Sequence, residues 1–165
     1  MGRDDPKLIT PRRPPYQNST VDANKTRGQI TRMLKEFGAL DVGWVEKNME
    51  VKLAFTMEAE IQNQKAILTV QIMPPLFAKE RKNWDKNVGK YVKSYEPNMS
   101  QSMRLLYHYL KAKLNAVAYG IRPFEEEFLA EINIRTNEGP MRFADWVKEK
   151  NSALLLEGPK VETEV

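Results

Sequence analysis

From Met103 to Val117 the apolar residues Met103, Leu106, Tyr107, Leu110, Leu114 and Val117 recur at intervals of three and four, which puts them on one stripe of a helix. Arg104, His108, Lys111 and Asn115 fall on the opposite side. Asn98 or Ser100 supplies a cap and Gly120 a stop, so a long helix is expected between them. A second helical stripe, Ile30, Met33, Leu34 and Phe37, starts from an Asx cap at Asp22 or Asn24 and ends at Gly38. The pattern then changes period. Val51, Leu53, Phe55, Met57 and Ala59 alternate with Lys52, Ala54, Thr56 and Glu58, which predicts a strand with one wet face from Met49 to Ala59. A weaker strand is read at Val42 to Glu46. A third, from Lys65 to Met73, has Ala66, Leu68, Val70 and Ile72 inward, and Ile67 on its other face marks it as the central or the better covered strand. The joints at Lys47-Asn48 and at Gln62-Asn63-Gln64 are of hairpin length and favour an antiparallel meander.

Pro74-Pro75 ends the strand pattern. Beyond the long helix, Pro123 opens another in which Phe124, Phe128, Leu129 and Ile132 face inward, while Glu125, Glu126 and Glu127 sit at the positive end of its dipole. Asn137-Glu138-Gly139-Pro140 reads as a turn, Met141 to Lys150 as a last short helix anchored by Phe143 and Trp146, and Leu154-Leu155-Leu156 as a final packed segment. Helices segregated against an antiparallel sheet make an α+β fold: two layers, a short three-stranded antiparallel meander packed on a long helix and several shorter ones.

Length and composition set the domain organisation. A chain of 165 residues supports one core, read here as a single domain over 22–156. Pro6, Pro11, Pro14 and Pro15 with Arg12 and Arg13 make residues 1–21 a disordered, basic, proline-rich arm, and 157–165 reads as a flexible tail. The chain has no cysteine, hence no disulfide framework and no thiolate zinc site, and no apolar run approaches a membrane span. A soluble protein of the cytoplasm, without a membrane partner, is the expectation.

No catalytic constellation is assembled by these residues. His108 is the single histidine and has no second histidine or cysteine to share a metal, nor a serine elbow to serve as base. Glu58, Glu60 and Lys65 sit around one hairpin but lack the tight acid-spacer-lysine spacing of a metal-dependent nuclease. There is no glycine-rich phosphate loop. Accordingly no catalytic residue, metal ligand or cofactor is assigned. The strongest chemical signal is the segment 76–97, read as a loop or a loosely helical piece. Between Lys79 and Tyr95 it holds six basic residues, Lys79, Arg81, Lys82, Lys86, Lys90 and Lys93, against two acidic ones, an excess equal to the +4 of the whole chain. Trp84, Tyr91 and Tyr95 are interleaved with them. Cations neutralise phosphates and aromatic rings stack unpaired bases, so this is the pattern of single-strand binding, with Arg104 and Lys111 of the helix ridge as its extension. The competing reading folds Trp84 and the tyrosines back as a lid on the core.

The blocks Ile30 to Ala39 (ITRMLKEFGA), Gly43-Trp44, the second hairpin and above all Lys111 to Ile132 (KAKLNAVAYGIRPFEEEFLAEI) resemble a set of small proteins of bacteriophage and prophage genomes, over about two-thirds of the chain. Where that family carries arginine-tryptophan-arginine this chain has Ser102-Met103-Arg104, so of that cluster only Arg104 carries over. The resemblance implies a phage or mobile-element origin in a bacterial cytoplasm, and it supplies no activity. Three functions remain, in order. The first is a non-enzymatic nucleic-acid-binding protein of phage DNA metabolism that takes single-stranded DNA. The second is a protein-binding module that engages a host factor or forms a homo-oligomer through Ala54, Ile67 and Met73. The third is a metal-dependent nuclease.

Overall fold

The computed structural model describes residues 15–150. Helix α1 (Ala23–Phe37) begins where the Asp22 carboxylate accepts from the N–H groups of Asn24 and Lys25, and ends at Gly38, whose φ of +117° is a left-handed cap. Strands β1 (Asp41–Lys47), β2 (Glu50–Ile61) and β3 (Gln64–Ile72) follow as an antiparallel meander in the order β1-β2-β3. Each of its hairpins turns on two residues with positive φ, Asn48-Met49 and Gln62-Asn63, the geometry that matches strand twist. Met49 therefore belongs to the turn and not to the strand in which it was expected.

The inner face of the sheet is Val51, Leu53, Phe55, Met57 and Ala59 of β2 with Val70 and Ile72 of β3. Ile30 and Leu34 of α1 and Met103, Leu106, Leu110 and Leu114 of α2 (Met99–Ala118) close over it as the second layer. The expected α+β architecture is thus the observed one. Phe128 fills its centre, edge-on to Phe55 at 5.8 Å and stacked with Phe124 at 4.7 Å. The central strand is β2, however, and β3 lies at the edge. Ile67 is exposed because it faces away from the helices, opposite Glu58. The outer edge of β3 is partly closed by a bridge from Val70 to Ile132 and by the hydrogen bond from Asn133 Nδ2 to Gln71 Oε1.

Three further departures from expectation have local causes. Helix α3 (Phe124–Glu127) gives way to a 3-10 turn over Leu129–Glu131, whose three-residue period rotates Leu129 out to solvent while Phe128 and Ile132 stay buried. The Asn137-Glu138 turn joins two strands, β6 (Asn133–Thr136) and β7 (Gly139–Arg142), so the last helix, α4 (Phe143–Lys150), starts later than Met141. Residues 15–19, expected to belong to a loose arm, are bound to α2 through Pro15, Tyr16 and Gln17. The rest of that arm, the Leu154-Leu155-Leu156 segment and the tail fall outside the described residues. Among the described residues no helix is long and apolar enough to cross a membrane.

Candidate nucleic-acid interface

The basic-aromatic segment is neither loop nor helix but a hairpin, β4 (Ala78–Asp85) and β5 (Lys90–Pro97). Its turn is built locally: Asp85 Oδ1 accepts from Asn87 N–H at 2.8 Å, and Gly89, at φ +63°, donates to Asp85 O at 2.8 Å. Its base is tied to the domain, where Leu76 and Phe77 are buried and Asn98 N–H donates to Phe77 O at 2.7 Å. Between base and turn, Lys79 to Trp84 and Lys90 to Lys93 are all exposed. The hairpin is an arm with solvent on both faces. At about 3.3 Å per residue the six steps from Ala78 to Trp84 carry its tip about 20 Å from the base.

Register sorts the side chains. Residues directly opposite one another share a face, so Trp84 with Tyr91, Lys82 with Lys93, and Glu80 with Tyr95 form one face, and Lys79 with Glu96, Arg81 with Ser94, Asn83 with Val92, and Asp85 with Lys90 the other. Trp84 meets Tyr91 edge-on at 5.1 Å, yet the two remain 54% and 69% exposed, and Tyr95 is 61% exposed. Trp84 and the tyrosines do not fold back as a lid on the core. Two of the six cations are held in ion pairs, Arg81 with Glu96 at 3.0 Å and Lys93 with Glu80 at 3.2 Å. Lys79, Lys82, Lys86 and Lys90 make none among the described residues, and Lys86 sits in the turn itself. All three aromatic rings thus lie on the face that also carries the Lys82-Lys93 rung.

Arg104 and Lys111 are not brought into this surface. Arg104 lies against α1, with Nη1 donating to Gln29 Oε1 at 3.1 Å and the guanidinium 4.9 Å over the Tyr107 ring. Lys111 lines an open cleft of about 480 Å³ between α1 and α2, with Arg32, Glu36 and Asn115. Between them stands His108, stacked under Tyr16 at 4.8 Å with the rings 8° from parallel. Burial, and after it the charges of Arg104 and Lys111, hold its pKa below the ordinary imidazole value.

The residues weighed for other chemistry are placed as follows. Glu58 accepts from Lys65 Nζ at 2.8 Å, which raises the pKa of that lysine above its ordinary value, and Glu60 lies opposite Lys65 in register. Among the described residues no three His, Cys, Asp or Glu side chains gather as a metal would require. Glu127 belongs to a network that the residue pattern did not reveal: Lys113, 14% exposed, pairs with Glu127 at 3.7 Å and Glu131 at 3.4 Å, and Tyr109 Oη donates to Glu131. The spacing of Tyr109 and Lys113, four residues apart on one helix face, was its one available sign. This network fastens the α3 turn to α2. On the outer sheet face Ala54 and Ile67 are separated by the Thr56-Thr69 rung, so they do not make one apolar patch with Met73. Comparison with protein-family models, with curated proteins and with solved structures finds no match for the chain.

Proposed function

We propose that the protein binds single-stranded nucleic acid, single-stranded DNA foremost, through the β4-β5 arm, without catalysing a reaction on it. One observation carries this reading: the register gathers Trp84, Tyr91 and Tyr95 on one exposed face with Lys82 and Lys93, and four of the six arm cations are outside ion pairs among the described residues. Rings offer π-faces to unpaired bases, and lysines follow the phosphates without reading sequence. A projecting ribbon also reaches a strand without requiring it to enter a cleft. The bacteriophage setting implied by the sequence resemblance gives such a protein a place in phage DNA metabolism. Fluorescence anisotropy of labelled oligothymidylate at low salt tests the reading, and no binding at micromolar protein would sink it.

A second reading is supported by a different observation. Tyr119 and Ile121, on either side of Gly120 at the end of α2, are 83% and 73% exposed, an apolar pair of the kind that a protein partner covers. Tyr119→Ser with Ile121→Ser would then abolish a host-protein contact and leave oligonucleotide binding untouched.

A further inference from the structure

Residues 15–19 form a strap across α2, and the contacts that hold it are specific. The Gln101 side chain, 1% exposed, donates from Nε2 to the Pro15 carbonyl oxygen at 2.8 Å and accepts from Asn98 Nδ2 at Oε1 at 3.2 Å. Asn98 Nδ2 also lies 3.3 Å from the Gln17 carbonyl oxygen, and Ser19 N–H closes a turn on Tyr16 O at 3.0 Å. Tyr16 itself has φ +58°, a conformation that a tyrosine adopts rarely. In that turn its ring lies flat on the imidazole of His108.

The place that the ring occupies has the chemistry of a base-stacking seat. His108 offers a flat face, Tyr107 stands edge-on beside it at 5.2 Å, and Arg104 and Lys111 lie one turn away on either side. Arg104 also lines an open cleft of about 460 Å³ with Tyr16, Gln17, Asn18 and Ser19, and among the described residues no acidic side chain borders it. A planar ring between two cations suits a base with its flanking phosphates. The strap also meets the foot of the arm. Asn98, the residue that holds the strap at Gln17, closes the base of the β4-β5 hairpin through its own N–H.

We propose that Tyr16 occupies a nucleobase seat on His108, and that single-stranded nucleic acid displaces the strap and stacks a base there. Residues 15–19 are then a cover that weakens binding until a strand, held by the arm, reaches the foot of the hairpin. For its ligand the inference rests on the reading of the arm given above.

The single histidine of the chain makes the seat observable, because one imidazole Cε1–H signal in a ¹H–¹³C spectrum reports on it alone. The probe is adenosine 5′-monophosphate titrated into wild type and Tyr16→Ala. The signal is expected to move and saturate in Tyr16→Ala and to move less in wild type, where the tyrosine competes. With labelled oligothymidylate, Tyr16→Ala is expected to bind about 2- to 10-fold more tightly than wild type, the factor that one aromatic pair contributes. His108→Ala removes the seat and should abolish that gain. An imidazole signal unmoved by the nucleotide in Tyr16→Ala overturns the proposal. So does oligonucleotide binding by that variant that is unchanged or weaker, since Tyr16 would then be no competitor. A third variant, Trp84→Ala with Tyr91→Ala and Tyr16→Ala, separates the two failures: the seat requires the nucleotide shift to persist in it, whereas the arm reading requires its oligonucleotide affinity to fall.

Discussion

If the arm binds phosphates with the cations that stand outside ion pairs, the salt dependence of binding can be worked out in advance. Among the described residues Lys79, Lys82, Lys86 and Lys90 are those cations, while Arg81 and Lys93 are engaged by Glu96 and Glu80. Each neutralised phosphate of a single strand contributes about 0.7 to the slope of log affinity against log salt, so four contacts give a slope of about −3. Between about 50 and about 200 mM salt, affinity should then fall about 50-fold. Opening both ion pairs to the ligand would steepen the slope to about −4. The two classes of substitution must separate. Lys82→Ala should make the slope shallower by about 0.7. Trp84→Ala should remove about 1 to 3 kcal/mol, roughly 5- to 150-fold, at every salt concentration and leave the slope unchanged. The assay is anisotropy of a labelled oligothymidylate over a salt series. A wild-type slope shallower than about −1, or a Trp84→Ala protein that binds as wild type does, would refute the assignment of phosphates to lysines and bases to rings.

Three expectations concern the scaffold. Phe128→Ala empties the centre of the core beside Phe55 and Phe124 and should cost about 3–5 kcal/mol in urea unfolding, against well under 1 kcal/mol for the exposed Leu129→Ala. Burial, then the hydrogen bond to Glu131, raise the Tyr109 pKa above its ordinary 10.0, so its contribution is intact below that pH and is lost as pH rises past it. Tyr109→Phe should therefore lower stability by about 1 to 2 kcal/mol at neutral pH, with a difference that narrows in unfolding curves above about pH 10. Asp22→Ala removes the acceptor for two N–H groups of α1 and should cost about 1 kcal/mol, read as a drop in thermal midpoint, while Asp22→Asn should recover most of it.

The sequence alone determined the elements that have one buried face. A stripe with a period of three to four, or an alternation with a period of two, arises where one side of an element meets the core and the other meets water. Both long helices, with their Asp22 and Asn98 caps and glycine stops, and the three strands of the meander were legible for that reason. The arm was not. Neither face of β4-β5 is buried, so no hydrophobic alternation marks it, and only Asp85, Asn87 and Gly89 signal its turn. Its charged and aromatic residues were recognisable as a set, but their sorting onto two faces is a property of register, and register exists only once the two strands pair. The central position of β2, the outward rotation of Leu129 and the Lys113-Glu127-Glu131 network likewise depend on which elements become neighbours. The seat under Tyr16 shows the division most plainly. His108 and Tyr16 are far apart along the chain, and what brings the strap to α2 is Gln101, a buried amide whose Nε2 donates to the Pro15 carbonyl oxygen. Composition and periodicity can propose such residues, but only the folded chain decides that they meet, because burial and the need to satisfy a buried polar group arise with the fold itself.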